Sequence, residues 1–296
     1  MEIKVAIVGA AGTLGKQLAA HFQESGRSIR ALVRTPEKMG GILTGRSEAV
    51  PCDLLRIPGS LLTEYLKGCD VVIHAATQLP LRAREIRDWE PTNRLRMEGT
   101  SRLIEAALRA GVGYYIQQST VSAYINGGEQ WLDENTPFDI SPARAVMTLA
   151  VADMERRVRE IPVQEMQWSI LRIGQLVGPG TTEVSLARDL EEGRAVVSGN
   201  GKHFFSPVHI VDAASAFVQA ARRRIGQRVL NITDEPIRFG DYLDHLADRL
   251  RVTRPHRDPT QAKVLSQRCT NEAARKALDW VPYWGLHLDE KIRIGV

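Results

Sequence analysis

Three glycines near the start of the chain have the spacing of a phosphate-binding turn. The segment VAIVGAAGTLGKQLAAHF places Gly9, Gly12 and Gly15 between an apolar, β-branched run and an amphipathic run. Gly9 permits a tight turn, Gly12 lets the backbone approach a diphosphate, and Gly15 lets a helix pack closely on a strand. The N-terminus of such a helix attracts anions. The spacing therefore predicts a dinucleotide site, which would also include Thr13 and Leu14.

The end of the second apolar run indicates which dinucleotide is preferred. An NAD site needs a carboxylate there to bind the ribose 2′-hydroxyl group. The segment RALVRTPEK has no acidic residue before Glu37. Arg34 is placed to bind a 2′-phosphate, with Lys38 or Arg30 adding positive charge. We therefore expect NADP(H) to be preferred over NAD(H), the alternative being that Arg34 is only an exposed residue after a strand.

The elements that must position these residues alternate along the first half of the chain. Short β-branched runs are separated by longer amphipathic segments, a rhythm typical of βαβ units in a parallel sheet covered on both faces. One helix is predicted over about 88–110, ending at Gly111, and another over 141–158. Strands are predicted at 3–9, 28–34, 48–54, 70–76, 114–120, 168–174 and 228–233.

These elements predict an α/β fold, a Rossmann-like doubly wound parallel sheet with a smaller C-terminal substrate lobe. Beyond residue 175 the chain changes to Gly- and Pro-rich loops such as GPGTTE. We expect a dinucleotide-binding domain over 1–174, completed by about 207–234. The substrate-binding lobe is then expected over 175–206 and 235–296.

Several further motifs resemble those of the extended short-chain dehydrogenases/reductases of the NAD-dependent epimerase/dehydratase group. They are CDL at 52–54, HAAT at 74–77, TNRLRMEGTSRLIEAA, LRIGQLVGPG at 171–180, SPVHIVDAASAF and ALDWVP. The resemblance covers nearly the full length of the chain. It implies that further cofactor contacts come from Asp53, Leu54, Ala75, Ala76, Thr77, Asn93 and Gln175.

The chain departs from this family at its catalytic residues. The family uses a Ser or Thr at the end of the fifth strand and a Tyr-x-x-x-Lys motif on the next helix. The resemblance places Thr120 at the Ser/Thr position, but Met147 and Val151 fall where the tyrosine and lysine belong. Methionine has no proton to exchange and valine has no charge. The family reaction by its usual route is expected to be about a hundredfold to ten-thousandfold slower.

Other groups near the expected site are weaker candidates for proton transfer. Tyr124, in the loop after the fifth strand, is the first candidate, with packing in that turn as the alternative. Thr120 is expected either to bond a substrate oxygen or only to close a strand end. Structural or solvent-facing roles are expected for His74, Asp133, Glu134 and His209.

The substrate lobe also differs from that of sugar-nucleotide members of the family. Where those proteins carry a basic residue that binds the substrate diphosphate, this chain has Phe205, with Phe204 beside it. Two aromatic residues favour a more apolar small-molecule ligand. The alternative is that Lys202 or His203 reaches a phosphate.

The composition is that of an ordinary globular protein. The 296 residues carry a net charge of +4, and no apolar run approaches the length of about 18 residues needed to span a membrane. Three cysteines without paired spacing favour neither a disulfide framework nor a metal site. Basic runs such as ARRRIG are expected to be solvated helix faces, so nucleic-acid binding is not favoured. We expect a cytoplasmic protein.

These observations favour an NADP(H)-binding oxidoreductase, or an epimerase/dehydratase-related enzyme, with a non-standard active site. One alternative is a non-catalytic dinucleotide-binding module with an assembly or redox-sensing role. Another is an RNA-binding member of the same fold. A homodimer through the helices at about 88–110 and 141–160 is compatible with the sequence.

Overall fold

A seven-stranded parallel sheet forms the centre of the molecule. The computed structural model describes residues 3–79, 85–261 and 264–284. With the strands of these residues numbered in chain order, the sheet has the order β12-β7-β5-β4-β1-β2-β3. Its strands are β1 Lys4–Val8, β2 Ser28–Val33, β3 Glu48–Pro51, β4 Val71–His74, β5 Tyr114–Thr120, β7 Gln167–Ile173 and β12 Arg228–Ile232. The predicted fold class and the seven predicted strand positions are confirmed.

The described residues form nine α-helices, which cover both faces of the sheet except for those at 182–191 and 239–250, which pack on each other in the smaller lobe. They are α1 Thr13–Glu24, α2 Gly59–Leu66, α3 Glu90–Arg94, α4 Thr100–Arg109, α5 Ala145–Arg159, α6 Thr182–Glu191, α7 Ile210–Arg223, α8 Phe239–Leu250 and α9 Glu272–Leu278. The single helix predicted over 88–110 is divided, because a π-helical turn at Leu95–Gly99 joins α3 to α4. Helix α5 occupies most of the segment predicted to be helical over 141–158.

The continuous apolar character of the strands is explained by burial on both sides. In β1, Val5 and Ile7 face the cluster that includes Phe22 of α1 and Phe217 of α7. Ala6, between them, faces the opposite cluster, which includes residues of α2 and α4. Burial of each Leu, Ile or Phe side chain stabilises the fold by about 1.5–3 kcal/mol, so both layers hold the carboxyl edge of the sheet in place.

Short strand pairs build the region outside the sheet. They are β6 Trp131–Leu132, β8 Gln175–Val177, β9 Val196–Ser198, β10 Phe204–Phe205, β11 Pro207–His209, β13 Ile237–Arg238, β14 His256–Asp258 and β15 Arg268–Cys269. The pairs are β8 with β11, β9 with β14, β10 with β13 and β6 with β15. Strand β12 returns to the sheet within the segment 207–234, after which α8 and β14 follow. Among the described helices, none has the length and apolar character required to cross a membrane.

Candidate active site

A large cleft lies along the carboxyl edge of the sheet. Its volume is about 1300 Å³, and it is lined by residues that follow β1, β2, β4, β5 and β7. Ligands of open parallel sheets bind at this edge, where successive crossovers leave a crevice between the strand ends. The cleft therefore has the position expected of a dinucleotide site.

At two positions of the glycine turn, neighbouring backbone atoms leave no room for a side chain. Gly9 has φ +89°, and a Cβ atom there would lie 2.7 Å from Cα of Ala76. A Cβ atom on Gly15 would lie 2.2 Å from the carbonyl oxygen of Gly9. At Gly12 the added atom would meet only that same oxygen, at 3.2 Å, so the other side is open. The turn therefore fits a diphosphate above Gly12, at the beginning of α1.

Most of the predicted cofactor residues lie together on the cleft wall. They are Gly9, Gly12, Thr13, Leu14, Gly15, Arg34, Asp53, Leu54, Ala75, Ala76, Thr77 and Gln175. Asn93 is different, because it is buried behind the wall and its Nδ2 donates to the carbonyl oxygen of Val146 at 2.6 Å. The geometry thus brings together all of the predicted set except Asn93.

Positive charge is concentrated at the end of β2. Arg34 and Lys38 follow β2, Arg56 follows the neighbouring β3, and all three line the cleft together with Asp53. Asp53 Oδ1 accepts a hydrogen bond from the backbone N–H of Leu55 at 3.1 Å. Nε of Arg56 lies 3.8 Å from the Oδ2 atom of Asp53. Cations outnumber carboxylates at this end of the cleft.

Arg30, expected as a possible third source of charge, does not take part in the site. Its Nε donates to Glu48 Oε1 at 2.7 Å, and its Nη1 donates to the carbonyl oxygen of Tyr65. Arg30 lies four residues before Arg34, towards the amino end of β2, so its guanidinium reaches α2 and β3 and not the cleft at the carboxyl edge.

The opposite end of the cleft has an apolar wall. Met147, Val151 and Met154 of α5 line it together with Trp89. Met147 is 5% exposed and Val151 is fully buried, in one cluster with Met154. The two residues that replace the family's tyrosine and lysine therefore do face the cleft, and they provide neither a proton nor a charge.

Thr120 and Tyr124 have different positions. Thr120 lines the cleft, and its Oγ1 accepts a hydrogen bond from the backbone N–H of Ser122 at 3.1 Å. The fully buried Tyr124 lies outside the lining, where its hydroxyl donates to Asn231 Oδ1 at 2.7 Å and accepts from Arg172 Nη1 at 2.7 Å. Burial raises the pKa of Tyr124 well above its usual range. The structure does not bring Tyr124 to the place where a substrate would need a proton.

The remaining polar candidates are structural in this fold. Nδ1 of His74 lies 3.1 Å from Gln117 Oε1, and burial lowers the pKa of His74 to about 4. His209 caps α7, since its Nδ1 accepts from the backbone N–H of Val211. The carboxylates of Asp133 and Glu134 accept hydrogen bonds from backbone N–H groups of Asn135 and Asn231 respectively.

The predicted aromatic lining by Phe204 and Phe205 is not found in the cleft. Phe205 packs against Phe239 and Tyr242, with ring centroids 5.8 and 4.9 Å away. Both phenylalanines belong to β10, which pairs with β13 in the smaller lobe. The apolar surface of the cleft comes instead from α5, whose methionines carried no obvious functional signal.

Sequence reasoning missed several polar residues of the lining. Gln117, Gln118, Ser119 and Ser122 lie on it near Thr120, and Arg96 lies on it next to α3. Arg96 carried a signal that was available in the sequence, because spacings of three and four residues place it on the same helix face as Asn93 and Thr100. A cation on the buried stripe of a helix is unusual.

The parallel sheet, the glycine turn and the cleft define an extended short-chain dehydrogenase/reductase. The sequence model described as the NAD dependent epimerase/dehydratase family matches residues 5–233. The chain belongs to this family, as a member without the Tyr-x-x-x-Lys motif.

Curated relatives of the chain include two bacterial proteins. One, named 3-diazoavenalumate denitrifying reductase, from Streptomyces sp, is 30% identical over 95% of this chain and 96% of its own length. An uncharacterized sugar epimerase, YhfK, from Bacillus subtilis (strain 168) is 30% identical over 64% of this chain and 81% of its own.

Among solved structures, MoeE5 in complex with UDP-glucuronic acid and NAD superposes with a TM-score of 0.79. It is 24% identical, with 96% of this chain and 95% of that chain covered. This likeness establishes the shared fold.

Proposed function

We propose that the protein is an NADP(H)-dependent reductase whose substrate accepts a hydride without needing a proton from the enzyme. The proposed substrate class is aryl diazonium ions. The observation that carries this proposal is the position of Met147 and Val151 on the cleft wall. A carbonyl becomes an alkoxide when it accepts a hydride, and an enzyme must then protonate it. A diazonium cation becomes neutral on the same transfer, so no acid is required.

The name of the Streptomyces relative supports this choice of substrate, because it denotes a reductase that removes nitrogen from a diazo compound. When bound, the nicotinamide would supply a hydride, so that Ar–N₂⁺ plus H⁻ gives Ar–H plus N₂. The arene carbon loses its bond to nitrogen and gains the hydrogen, and the charges balance. No protein group gains or loses a proton in this scheme.

The residues of the chain have defined tasks in the proposal. The turn at Gly9, Gly12 and Gly15 would hold the cofactor diphosphate. Arg34 and Lys38 would bind the 2′-phosphate, and this contact is the basis of the proposed NADP(H) preference. Met147, Val151, Met154 and Trp89 would pack on an aryl ring, orient it and exclude water. Thr120, whose hydroxyl lies at the end of β5, would contact a polar substituent of that ring.

The test compares two probes of the same shape. 4-Methoxybenzenediazonium and 4-methoxybenzaldehyde are each incubated with the protein and NADPH deuterated at C4, and the background without protein is subtracted. We expect deuterium to enter anisole with release of N₂. The aldehyde should react at least about a hundredfold more slowly, since its reduction needs the missing acid.

Two results would overturn the proposal. Faster reduction of the aldehyde would show that the chain has an effective proton donor despite Met147 and Val151. Tight NADPH binding without turnover of either probe would instead favour a non-catalytic dinucleotide-binding module, which the same two residues also support.

A further inference from the structure

Arg96 is a buried cation on the cleft wall, and no carboxylate of the described residues pairs with it. Its side chain lines the cleft, and the residue is 7% exposed. Its hydrogen bond within the described residues is a long one, from Nη1 to Asn93 Oδ1 at 3.5 Å. No carboxylate of residues 3–79, 85–261 or 264–284 forms an ion pair with it. Burial lowers the pKa of Arg96 to about 10, so the guanidinium remains charged at neutral pH.

The neighbouring Arg94 shows that this lack of compensation is specific to Arg96. Arg94 also lines the cleft, but its Nε and Nη2 donate to both carboxylate oxygens of Glu98 at 3.0 Å. That pair is half exposed to solvent. Arg94 and Arg96, two positions apart, therefore differ in solvent exposure and in whether a carboxylate neutralises their charge. Of the two, it is the buried Arg96 that can neutralise a ligand anion.

Hydrogen bonds place the Arg96 guanidinium at the catalytic end of the cleft. Asn93, its hydrogen-bond partner, donates to the carbonyl oxygen of Val146 at 2.6 Å. Val146 precedes Met147 in the first turn of α5. The positive charge thus lies beside the apolar wall formed by α5.

A buried charge is costly unless an anion or several hydrogen bonds compensate it. The cofactor phosphates are assigned to the glycine turn and to Arg34, so they leave Arg96 without a partner. We propose that Arg96 binds a carboxylate group of the substrate, whose aryl body packs on Met147, Val151 and Met154. The aryl part rests on the proposed function, whereas the carboxylate contact rests on Arg96 itself. A guanidinium binds a carboxylate through two parallel hydrogen bonds.

The test measures binding rather than turnover. Protein saturated with NADP⁺ is titrated by calorimetry with 4-hydroxycinnamate and with its neutral amide, 4-hydroxycinnamamide. We expect the carboxylate to bind about tenfold or more tightly than the amide. In Arg96→Gln this preference should disappear, while the Kd of NADPH stays within about twofold. Arg96→Lys keeps the charge without the fork and should retain part of the preference.

Arg109→Gln is the control, because it removes a charge from the exposed pair of Arg109 with Glu105 at the end of α4, outside the cleft. It should leave both titrations within about twofold of wild type. The proposal fails if wild type binds the two probes equally or not at all, if Arg96→Gln keeps the carboxylate preference, or if that substitution weakens NADPH binding instead. Thermal melting confirms that each variant is folded. Turnover of 4-methoxybenzenediazonium, which has no carboxylate, reports separately on the proposed function.

Discussion

At the scale of single residues, Arg34 carries the proposed preference for NADP(H) over NAD(H). Its side chain lines the cleft at the end of β2, and the carboxylate of Asp53, which also lines the cleft, accepts a hydrogen bond from its own loop. For Arg34→Ala we expect the Kd of NADPH to rise about tenfold to a hundredfold, because a charge-assisted hydrogen bond contributes about 1.5–3 kcal/mol. The Kd of NADH should change by less than about twofold.

Arg109→Ala is the control for this prediction. It removes the same charge from an exposed pair with Glu105 at the end of α4, outside the cleft. Fluorescence titration with each dinucleotide gives the four constants that are needed. An equal loss of NADPH and NADH affinity in Arg34→Ala would contradict a 2′-phosphate contact.

Gly15 is needed both for the packing of α1 on the glycine turn and for the proposed cofactor site. A Cβ atom there would overlap the Gly9 carbonyl oxygen at 2.2 Å and Cα of Ala10 at 2.6 Å, and both are backbone atoms that cannot rotate away. We expect Gly15→Ala to lower the melting temperature and to abolish measurable NADPH binding. In Gly59→Ala, the control on α2, the added methyl group meets no atom within 4 Å, so stability and binding should be retained. Wild-type NADPH affinity in Gly15→Ala would show that the turn does not hold the diphosphate.

At the scale of elements, a buried ion pair fixes α5 against the sheet. Glu155 of α5 accepts from Arg172 of β7 through Nε at 2.9 Å and Nη2 at 2.7 Å, and also from Ser119 of β5 at 2.6 Å. Both charged side chains are at most 5% exposed. Glu155→Gln leaves the Arg172 charge without its anion, and we expect unfolding to cost about 3–5 kcal/mol less in denaturant titrations.

The matched control is a second carboxylate, that of Glu160, which directly follows α5. Glu160 pairs with Arg156 at 2.6 Å, and both side chains are more than half exposed to solvent. Glu160→Gln should change the free energy of unfolding by less than about 1 kcal/mol. Similar losses in the two variants would mean that the buried pair contributes no more than a surface pair.

The helical segment that leads into the cleft shows that apolar periodicity alone does not predict a local change of helix geometry. The apolar spacing predicts one helix over about 88–110, whereas the structure has a π-helical turn at Leu95–Gly99 between α3 and α4. A π turn accommodates one additional residue, which changes the face that each side chain presents without interrupting the apolar pattern. Arg96, within this turn, lines the cleft, whereas Asn93, which precedes the turn, is buried behind the cleft wall.

At the scale of the whole molecule, the sequence predicts the scaffold better than the catalytic end. The strands are predictable because β-branched runs buried on both faces leave a continuous apolar pattern. The glycine turn is predictable because backbone atoms exclude a side chain at Gly9 and Gly15. The contacts of Tyr124 and Phe205 are not predictable from a local pattern, because their surroundings come from distant segments. The Oδ1 atom of Asn231, 107 positions further along the chain, accepts a hydrogen bond from the Tyr124 hydroxyl, and no local motif predicts such a contact.

Buried polar groups also set how stability depends on pH, and His74 is the central case. It is 1% exposed at the end of β4, and burial lowers its pKa from 6.5 to about 4. The unfolded chain therefore takes up a proton below pH 6.5, whereas the folded protein does so only near pH 4. The stability that depends on a neutral His74 should be fully present above pH 6.5 and should be lost as the pH falls from 6.5 towards 4. The contribution of His74 between pH 7 and pH 5 is about 2 kcal/mol.

Replacing His74 isolates this contribution from that of other titrating groups. In His74→Gln, the free energy of unfolding should fall about 2 kcal/mol less than in wild type between pH 7 and pH 5, whatever its value at pH 7. His256→Gln, at an exposed position on β14, should retain the wild-type dependence. The measurement is guanidinium unfolding at several pH values for the three proteins. If the acid slope were unchanged in His74→Gln, the His74 ring would take up a proton as readily in the folded protein as in the unfolded chain. A neutral buried His74 would then be excluded.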